Sequence, residues 1–274
     1  MRYLTTLLFC LTLAVTPSVP AQVFEDSLKA SEAPLFTAED AFFAGGVIFA
    51  TLAIAPIDKR IADYVQGERP QQNPFFRKLA VIVEAIAEPG ALLIGGGLYG
   101  IGRLADNERM ADLGLHGTEA IAVGILLTGA IKVGAGRQRP YVNRDRPHSF
   151  GFLRGWNQEQ YRSFPSGHSL IAFAAAAAVT NETKRWWPSS AWYIGPAMYG
   201  GALLVALSRM YDNKHWASDV MIGGLIGTFA GLKVVKYHHT HPDNRVDRWL
   251  LGVTFVPEGD AGWVGRPLVM RGRD

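Results

Sequence analysis

The chain has 274 residues, with 27 Lys and Arg against 24 Asp and Glu, which gives a formal net charge of +3. A chain of this length can bury a full core as one domain, with room for one appendage. Its basic residues gather near a few motifs and do not alternate with aromatic residues, so we expect no nucleic-acid partner. Its single cysteine, Cys10, excludes a framework of disulfides.

The first residues have the layout of a secretory signal peptide. Arg2 precedes the apolar run Leu4–Val15, and small residues stand before a cleavage point ahead of Gln22. We therefore expect a signal peptide at residues 1–21, with an uncleaved membrane anchor as the alternative. The bulky Phe that precedes the only cysteine disfavours lipidation of that residue.

Apolar stretches between residues 40 and 240 predict an all-α fold, a helical bundle of about six core helices. The stretches are Asp40–Ile57, Phe75–Arg103, Thr118–Lys132, His168–Thr180, Ala191–Ser208 and Ser218–Tyr237, with a separate amphipathic stretch at Asp106–Leu115. Pro89 and Gly90 predict a kink in the second stretch. A polar segment at residues 22–39 precedes this helical domain, and a tail at residues 241–274 follows it.

The tail differs in pattern from the bundle. Leu251–Val256 and Trp263–Met270 read as two short strands around a turn, which predicts a β-hairpin. Before the tail stand three histidines, at positions 238, 239 and 241. They could bind a metal, but with no cysteine nearby and few carboxylates we expect an exposed histidine cluster.

The sequence leaves open whether the bundle is soluble or crosses a membrane. Asp40–Ile57 and Ala191–Ser208 are long enough to span a bilayer, whereas Thr118–Lys132 and Val220–Leu232 fall short of the ~20 residues that a span needs. Three carboxylates in or beside apolar stretches would be costly in lipid. These are Glu84, Glu88 and Glu119. Aromatic residues at 186–193 favour the interface of a membrane, so we expect a membrane-associated bundle.

The stretch Ser208–Asp219 carries the strongest chemical signal. If a helix starts after Trp216, His215 and Asp219 lie one turn apart on the same face. A carboxylate there can accept a hydrogen bond from one imidazole nitrogen and leave the other free as nucleophile or base. Arg209 adds a permanent charge with a geometry suited to a phosphoryl group. Taken alone, the His and Asp could equally be a surface pair.

Two further stretches favour a phosphate site. Lys132–Pro140 supplies Lys132 and Arg139, and Pro165–His168 supplies Ser166 and Gly167 before a helix start. Backbone N–H groups at a helix start bind anions before any side chain is counted. Phosphoryl transfer needs mainly charge stabilisation and positioning, which three cations and these amides provide.

The ordered set of motifs resembles the signature of the type 2 phosphatidic acid phosphatase superfamily. The three motifs are Lys132-x6-Arg139-Pro140, then Pro165-Ser166-Gly167-His168, then Ser208-Arg209-x5-His215-x3-Asp219. That superfamily includes lipid phosphatases, class A bacterial acid phosphatases and vanadium haloperoxidases. The resemblance covers roughly residues 90–236 and says nothing firm about either end.

The resemblance implies a role for each motif residue. His215 attacks phosphorus and becomes a phosphohistidine, Asp219 orients it, and His168 protonates the leaving oxygen and then activates water. The phosphate-binding residues are Lys132, Arg139, Ser166, Gly167 and Arg209. We expect no cofactor, and no metal in this site, because the three cationic side chains stabilise the negative charge that a metal ion would otherwise stabilise.

Three functions fit these residues. The first is a metal-independent phosphatase for lipid phosphates or diphosphates of the phosphatidic acid, polyprenyl diphosphate or lipid A type. The second is a broad-specificity periplasmic acid phosphatase for soluble esters, and the third, for which the chain is short, is a vanadium-dependent haloperoxidase.

We expect export to the bacterial cell envelope, in the periplasm, membrane-associated or integral in the inner membrane. The long loop Tyr141–Phe164 is expected either to act as a lid or face the substrate, or to serve as a mere connection. The sequence does not predict the oligomeric state.

Overall fold

A computed structural model of the chain describes residues 34–241, 246 and 250, together with the backbone of residues 253–257 and 263–267. The predicted signal peptide at residues 1–21 and most of the polar segment lie outside the described residues. Within the described part the helices are α1 (Ala38–Ile54), α2 (Asp58–Val65), α3 (Glu68–Gln72), α4 (Pro74–Ala85), α5 (Ala91–Leu104), α6 (Glu108–Ala135), α7 (Gly167–Trp186), α8 (Ala191–Tyr211) and α9 (Ala217–Thr240). The predicted all-α class is confirmed for this part of the chain.

Two strands follow the helices near the C-terminal end. Strand β1 (Val253–Pro257) pairs antiparallel with β2 (Trp263–Pro267), and Phe255 lies opposite Gly265. The turn between the strands lies outside the described residues, so the hairpin as a whole stays a prediction.

Helix α6 corrects the expected division into two stretches. It runs without a break for 28 residues, from its cap at Asn107, whose side chain accepts a hydrogen bond from the amide of Met110, to Gly136. Gly136 ends the helix in the left-handed conformation, with φ 54°. Since no proline interrupts this stretch, the glycines inside it weaken the helix but do not end it.

The longer helices also correct the expectation that two apolar stretches are too short to cross a membrane. The stretch Val220–Leu232 lies inside α9, which has 24 residues. By length and composition, five helical segments of the described chain could cross a membrane. They are Ala38–Val65, Pro74–Leu104, Glu108–Ala135, Pro188–Tyr211 and Ala217–Thr240.

The predicted kink in the second stretch is present. Helices α4 and α5 are joined by the short segment Ile86–Gly90, in which Glu88 has extended backbone angles and Pro89 follows it. The proline cannot donate the next helical hydrogen bond, which is why the helix changes direction here. The change of direction places the end of α4 beside the N-terminal end of α7.

Helix α7 lies at the centre of the bundle. Its Leu170 and Ala174 pack with Ile121 of α6, and its Phe173 packs with Ala206 of α8. Small side chains along α7 let neighbouring helices approach closely. Helix α9 packs against α7 at such short range that there is no room for a side chain at some of its glycines. A Cβ atom placed on Gly227 of α9 would clash with the carbonyl oxygen of Leu170.

The close approach of α9 to α7 gives a prediction about stability. We expect Gly227→Ala to lower the free energy of unfolding by roughly 1–3 kcal/mol, because the added methyl group meets backbone that cannot yield. The matched control is Gly200→Ala on α8, where an added Cβ meets nothing within 4 Å. The control should stabilise the helix by roughly 0.5–1 kcal/mol. Thermal or denaturant unfolding measures both, and an equal response of the two variants would contradict the packing argument.

Candidate active site

His215 lies buried in the loop between α8 and α9, with 3% of its surface exposed. Its Nδ1 lies 2.6 Å from the carbonyl oxygen of Ser163. A carbonyl oxygen can only accept, so Nδ1 carries the proton and donates it. In the neutral imidazole, Nε2 therefore keeps a free lone pair, as a nucleophile or base requires.

The acceptor for His215 differs from the one expected. The sequence suggested a hydrogen bond to Asp219, but Asp219 Oδ2 lies 3.8 Å from His215 Nδ1, which is beyond hydrogen-bond distance. The carboxylate is close enough to stabilise a positive imidazole by charge alone. Asp219 is instead held by other donors, since its Oδ2 accepts from Ser163 Oγ at 2.5 Å and from the amide of Trp216 at 2.9 Å.

Arg137 connects this carboxylate to the rest of the fold. Its Nη1 donates to Asp219 Oδ1 at 2.5 Å, and its Nη2 donates to Asp58 Oδ2 at 2.8 Å. Asp58 begins α2 and also accepts from the amide and the hydroxyl of Ser218. The sequence analysis assigned no role to Arg137 or Asp58, and no local spacing could have found the pair, because they lie 79 residues apart.

The surroundings of His215 keep its imidazole neutral. Burial lowers the pKa of His215 to about 3, the nearby carboxylate of Asp219 opposes this shift, and the charge of Lys132 adds to it. A ring with so low a pKa holds no second proton at neutral pH, so its Nε2 is available without prior deprotonation.

The three cations named from the sequence lie on different elements and converge on the two histidines. Lys132 and Arg139 act electrostatically on His215, and Arg209 acts with them on His168. Lys132 and Arg209 stand in the last turns of α6 and α8. Positive charge is favourable at these helix ends, because the helix dipole is negative there.

Each arginine is paired with a carboxylate. Arg139 Nη2 lies 2.5 Å from Glu159 Oε1, and Arg209 Nη1 lies 2.6 Å from Glu84 Oε1. The Nε atom of Arg209 is buried and has no hydrogen-bond partner among the described residues. That unused donor, together with the fork of the guanidinium, offers an oxyanion further hydrogen bonds.

The start of α7 lies beside the cations of the candidate site. Ser166 caps the helix, with its Oγ 3.4 Å from the amide of Ser169, and its own amide donates to the carbonyl oxygen of Asp219 at 3.1 Å. A Cβ atom placed on Gly167 would lie 3.7 Å from Lys132 Nζ, so the ammonium group stands directly over the helix start. The amides and the ammonium group therefore face the same space.

His168 faces two carboxylates that the sequence analysis treated only as a cost in lipid. His168 Nδ1 lies 3.4 Å from Glu88 Oε2, and His168 Nε2 lies 3.8 Å from Glu84 Oε1. Glu84 lies in the last turn of α4, and Glu88 lies in the kink that follows it. Unlike His215, His168 lies at hydrogen-bond distance from no backbone carbonyl among the described residues, and 22% of its side chain is exposed.

The structure thus brings all eight residues named from the sequence to one end of the bundle. The loop Tyr141–Phe164 takes part in the site, since it supplies Ser163 to His215 and Glu159 to Arg139. The interpretation of this loop as a mere connection is therefore wrong.

The histidines at the end of α9 are not the exposed cluster that we expected. Helix α9 continues to Thr240, which turns His238 into the bundle, where 2% of its surface is exposed. Among the described residues, the group that could hold a metal ion consists of His116, Glu182 and His239. It lies at the other end of the bundle from His215.

The network around Arg137 gives a prediction about stability. We expect Arg137→Met to lower the free energy of unfolding by about 3–5 kcal/mol, because Asp58 and Asp219 would then be buried without their cation. The control is Arg144→Met in the following loop, whose side chain is 42% exposed and lies 4.0 Å from its carboxylate partner. Exposed pairs contribute about 0–1 kcal/mol. Equal unfolding midpoints for the two variants would refute the assigned role of Arg137.

Comparison with known proteins places these residues in a family. Residues 115–243 match the sequence model of the PAP2 superfamily. The chain is 28% identical over 137 residues to an undecaprenyl-diphosphatase of Sulfolobus acidocaldarius, an alignment that covers 48% of this chain and 63% of that protein. It is 36% identical over 110 residues to a lipid A 1-phosphatase of Porphyromonas gingivalis, covering 40% of this chain and 21% of that protein. The chain thus spans less than two thirds of the length of either relative.

One of the solved structures similar to this chain is LpxE of Aquifex aeolicus. It has a TM-score of 0.48 and 21% identity, and the alignment covers 65% of this chain and 94% of that chain. All eight motif residues lie inside the segment that matches the family model. From this match, and from the order of the three motifs, residues 115–243 are a region of the type 2 phosphatidic acid phosphatase (PAP2) superfamily.

Proposed function

We propose that this chain is a phosphatase that removes a phosphoryl group from a lipid phosphate or diphosphate through a phosphohistidine intermediate on His215. The observation that carries the proposal is the buried imidazole whose Nδ1 proton is held by the carbonyl oxygen of Ser163 at 2.6 Å. With Nδ1 held in this way, Nε2 keeps its lone pair, and the charges of Lys132 and Arg139 act on the same ring.

In the first step, Nε2 of His215 attacks phosphorus as the bond to the leaving oxygen breaks. His168 donates a proton to that oxygen, so that the lipid leaves as an alcohol, or as a monophosphate when the substrate is a diphosphate. In the empty site, burial and the charge of Arg209 lower the pKa of His168 to about 4, and the negative charge of the bound phosphate counteracts this shift so that His168 carries the proton. His215 becomes positively charged as the N–P bond forms. Asp219, at 3.8 Å, stabilises this charge without taking the proton.

The phosphoryl oxygens are bound by Lys132, Arg139 and Arg209, together with the amides at the start of α7. Before substrate enters, the two arginines are paired with Glu159 and Glu84. A phosphoryl dianion competes with these carboxylates for the same donors. It binds them more strongly than either carboxylate does, because it interacts with all three cations at once.

In the second step, water attacks the phosphohistidine from the side that the leaving group has vacated. His168, now neutral, accepts the proton of the attacking water, and the N–P bond breaks to release phosphate. Both histidines return to their starting states. The chemistry needs no redox cofactor, and the three cations provide the charge neutralisation that a metal provides in other phosphatases.

A lipid substrate is favoured by the surface of the helices. Apolar side chains on the candidate spans remain exposed, including Leu126 at 76%, Phe49 at 75% and Leu93 at 70%. Such a surface suits acyl chains rather than water. Since the site lies at the ends of these helices, it stands at the depth of a lipid headgroup when the helices cross a bilayer. The two curated relatives described above are also named for lipid phosphates.

The roles of the two histidines can be separated by the leaving group. We expect His215→Ala to be inactive on every substrate, since no covalent intermediate can form. We expect His168→Ala to lose about 10²–10⁴-fold on an alkyl phosphate, whose basic leaving oxygen needs a proton, and far less in the first step on p-nitrophenyl phosphate. Burst kinetics with p-nitrophenyl phosphate measure that first step.

The bound phosphate in His168→Ala identifies the nucleophile. A phosphohistidine is labile in acid and stable in alkali, so labelled phosphate trapped on His168→Ala should show this behaviour. His241→Ala, an exposed histidine at the far end of the bundle, is the matched control and should keep its activity. Trapped phosphate on His215→Ala, with no burst in His168→Ala, would show that the two assignments are reversed.

The substrate class can be tested with two substrates that carry the same phosphate ester, one with acyl chains and one without. We compare kcat/KM for phosphatidic acid in mixed micelles with kcat/KM for glycerol 3-phosphate, which has the same phosphate ester without acyl chains. Burial of about four methylenes at about 0.8 kcal/mol each is worth about 3 kcal/mol, or about 200-fold, so we expect a preference of about that size for the lipid. Undecaprenyl diphosphate and lipid A extend the panel. Equal values for the lipid and the soluble ester would favour an acid phosphatase for soluble esters.

A further inference from the structure

A second cluster of ionisable residues lies at the other end of the bundle, where three helices meet. Glu182 of α7 is fully buried, with 0% of its surface exposed. Its Oε1 lies 2.5 Å from Nδ1 of His116 on α6, and both of its carboxylate oxygens lie 2.9 Å from Nε2 of His239 on α9. One carboxylate thus stands between two imidazoles that come from different helices.

This cluster is separate from the reaction site. Each of the three helices carries a residue of the reaction site at one end and a residue of the cluster at the other. With a rise of 1.5 Å per residue, the 14 to 20 positions between them correspond to about 21–30 Å. The paired residues are Lys132 and His116 on α6, His168 and Glu182 on α7, and Asp219 and His239 on α9.

The donor atoms of the cluster suit a divalent transition metal. The three ligand atoms all lie within 4.8 Å of one another. Zinc binds imidazole nitrogen at about 2.0–2.1 Å and carboxylate oxygen at about 2.0–2.2 Å, so ligand atoms around one ion lie about 3.4 Å apart in a tetrahedron. Small rotations of the side chains therefore suffice to place one ion between the three atoms.

Charge also favours a cation at this position. A carboxylate without exposure to water is destabilised unless a positive group compensates it. Neutral imidazoles can donate hydrogen bonds to this carboxylate but bring no positive charge, whereas a divalent metal provides that charge while both imidazoles stay neutral. Two nitrogens and one carboxylate oxygen are a ligand set typical of zinc, with water as the fourth ligand.

Neighbouring residues would hold the imidazole of His116 in place. Its ring stacks on the ring of His238, with centroids 4.1 Å apart. His238 Nε2 in turn lies 2.6 Å from Glu119 Oε2. Partners of this kind around a first set of ligands fix the orientation of the rings that bind a metal.

The geometry points to a structural zinc site formed by His116, Glu182 and His239, which ties together the far ends of the helices that carry the reaction site. Zinc here holds α6, α7 and α9 at a fixed spacing and takes no part in phosphoryl transfer. The alternative is a cluster in which the two imidazoles simply donate hydrogen bonds to Glu182.

Metal content and unfolding of the full chain distinguish these two states. We purify the protein without a polyhistidine tag, strip it with a chelator, add Zn²⁺, remove the excess and measure zinc by mass spectrometry. We expect one zinc ion per chain and a higher thermal midpoint. At free zinc 100-fold above its Kd, the ratio of folded to unfolded protein rises about 100-fold.

Three variants test the assignment. Glu182→Gln keeps the shape of the side chain but removes the charge, and His239→Ala removes a ligand whose side chain is only 13% exposed. Both should lose zinc and its effect on the thermal midpoint. His241→Ala lies two positions further on at the exposed end of the same helix and should keep both. If Glu182→Gln does not fold, His239→Ala and the wild-type chain still decide the question.

Several results would overturn the proposal. One is a wild-type chain that takes up no more zinc than Glu182→Gln. Another is an identical thermal midpoint with and without zinc. X-ray absorption at the zinc edge gives a third check, because we expect two nitrogens and a carboxylate oxygen at about 2.0–2.2 Å, and a shell of oxygen alone would indicate adventitious zinc. None of these readouts depends on the phosphatase activity.

Discussion

The site depends on one buried guanidinium held between two carboxylates. Arg137 is 2% exposed, and its partners Asp58 and Asp219 are 1% and 0% exposed. Ions taken this far from water are stable only while each keeps its partner. The loop after α6, the start of α2 and the start of α9 therefore cannot separate without leaving a charge unpaired. Ser163 joins the same network through its hydroxyl, so the carbonyl that orients His215 is fixed by it as well.

The position of the site at the helix ends follows from the electrostatics of the helices. Lys132 and Arg209 stand in last turns, where the helix dipole favours cations, and Ser166 stands before a first turn, where free amides favour anions. Each element is thus stabilised locally by the group that it brings to the proposed phosphate site. Their convergence places like charges together, and Glu84 and Glu159 offset this repulsion when no phosphate is bound.

The sequence predicted the residues that lie in compact motifs, because the spacing within a helix or at its start decides which side chains share a face. It did not predict Asp58, Ser163 or Glu84 as parts of the site. Each of these comes from an element far along the chain, and only the packing of the bundle decides its partner. The division of α6 into two stretches was also wrong. The hydrophobic pattern shows which face of a helix meets the core, but it does not show whether two neighbouring stretches form one helix. Here they do, because no proline interrupts the chain near His116.

The carboxylates inside the apolar helices share one arrangement. Glu84 pairs with Arg209, Glu119 with His238, and Glu182 lies between two imidazoles. In the sequence alone, Glu84 and Glu119 argue against a bilayer, because an exposed carboxylate is costly in lipid. Ionisable groups within membrane helices face the bundle interior or a water-filled cavity and pair there, and each of these residues is paired. Their presence is therefore compatible with helices that cross a membrane, and the apolar surface of those same helices then becomes the surface that meets the acyl chains of the proposed substrate.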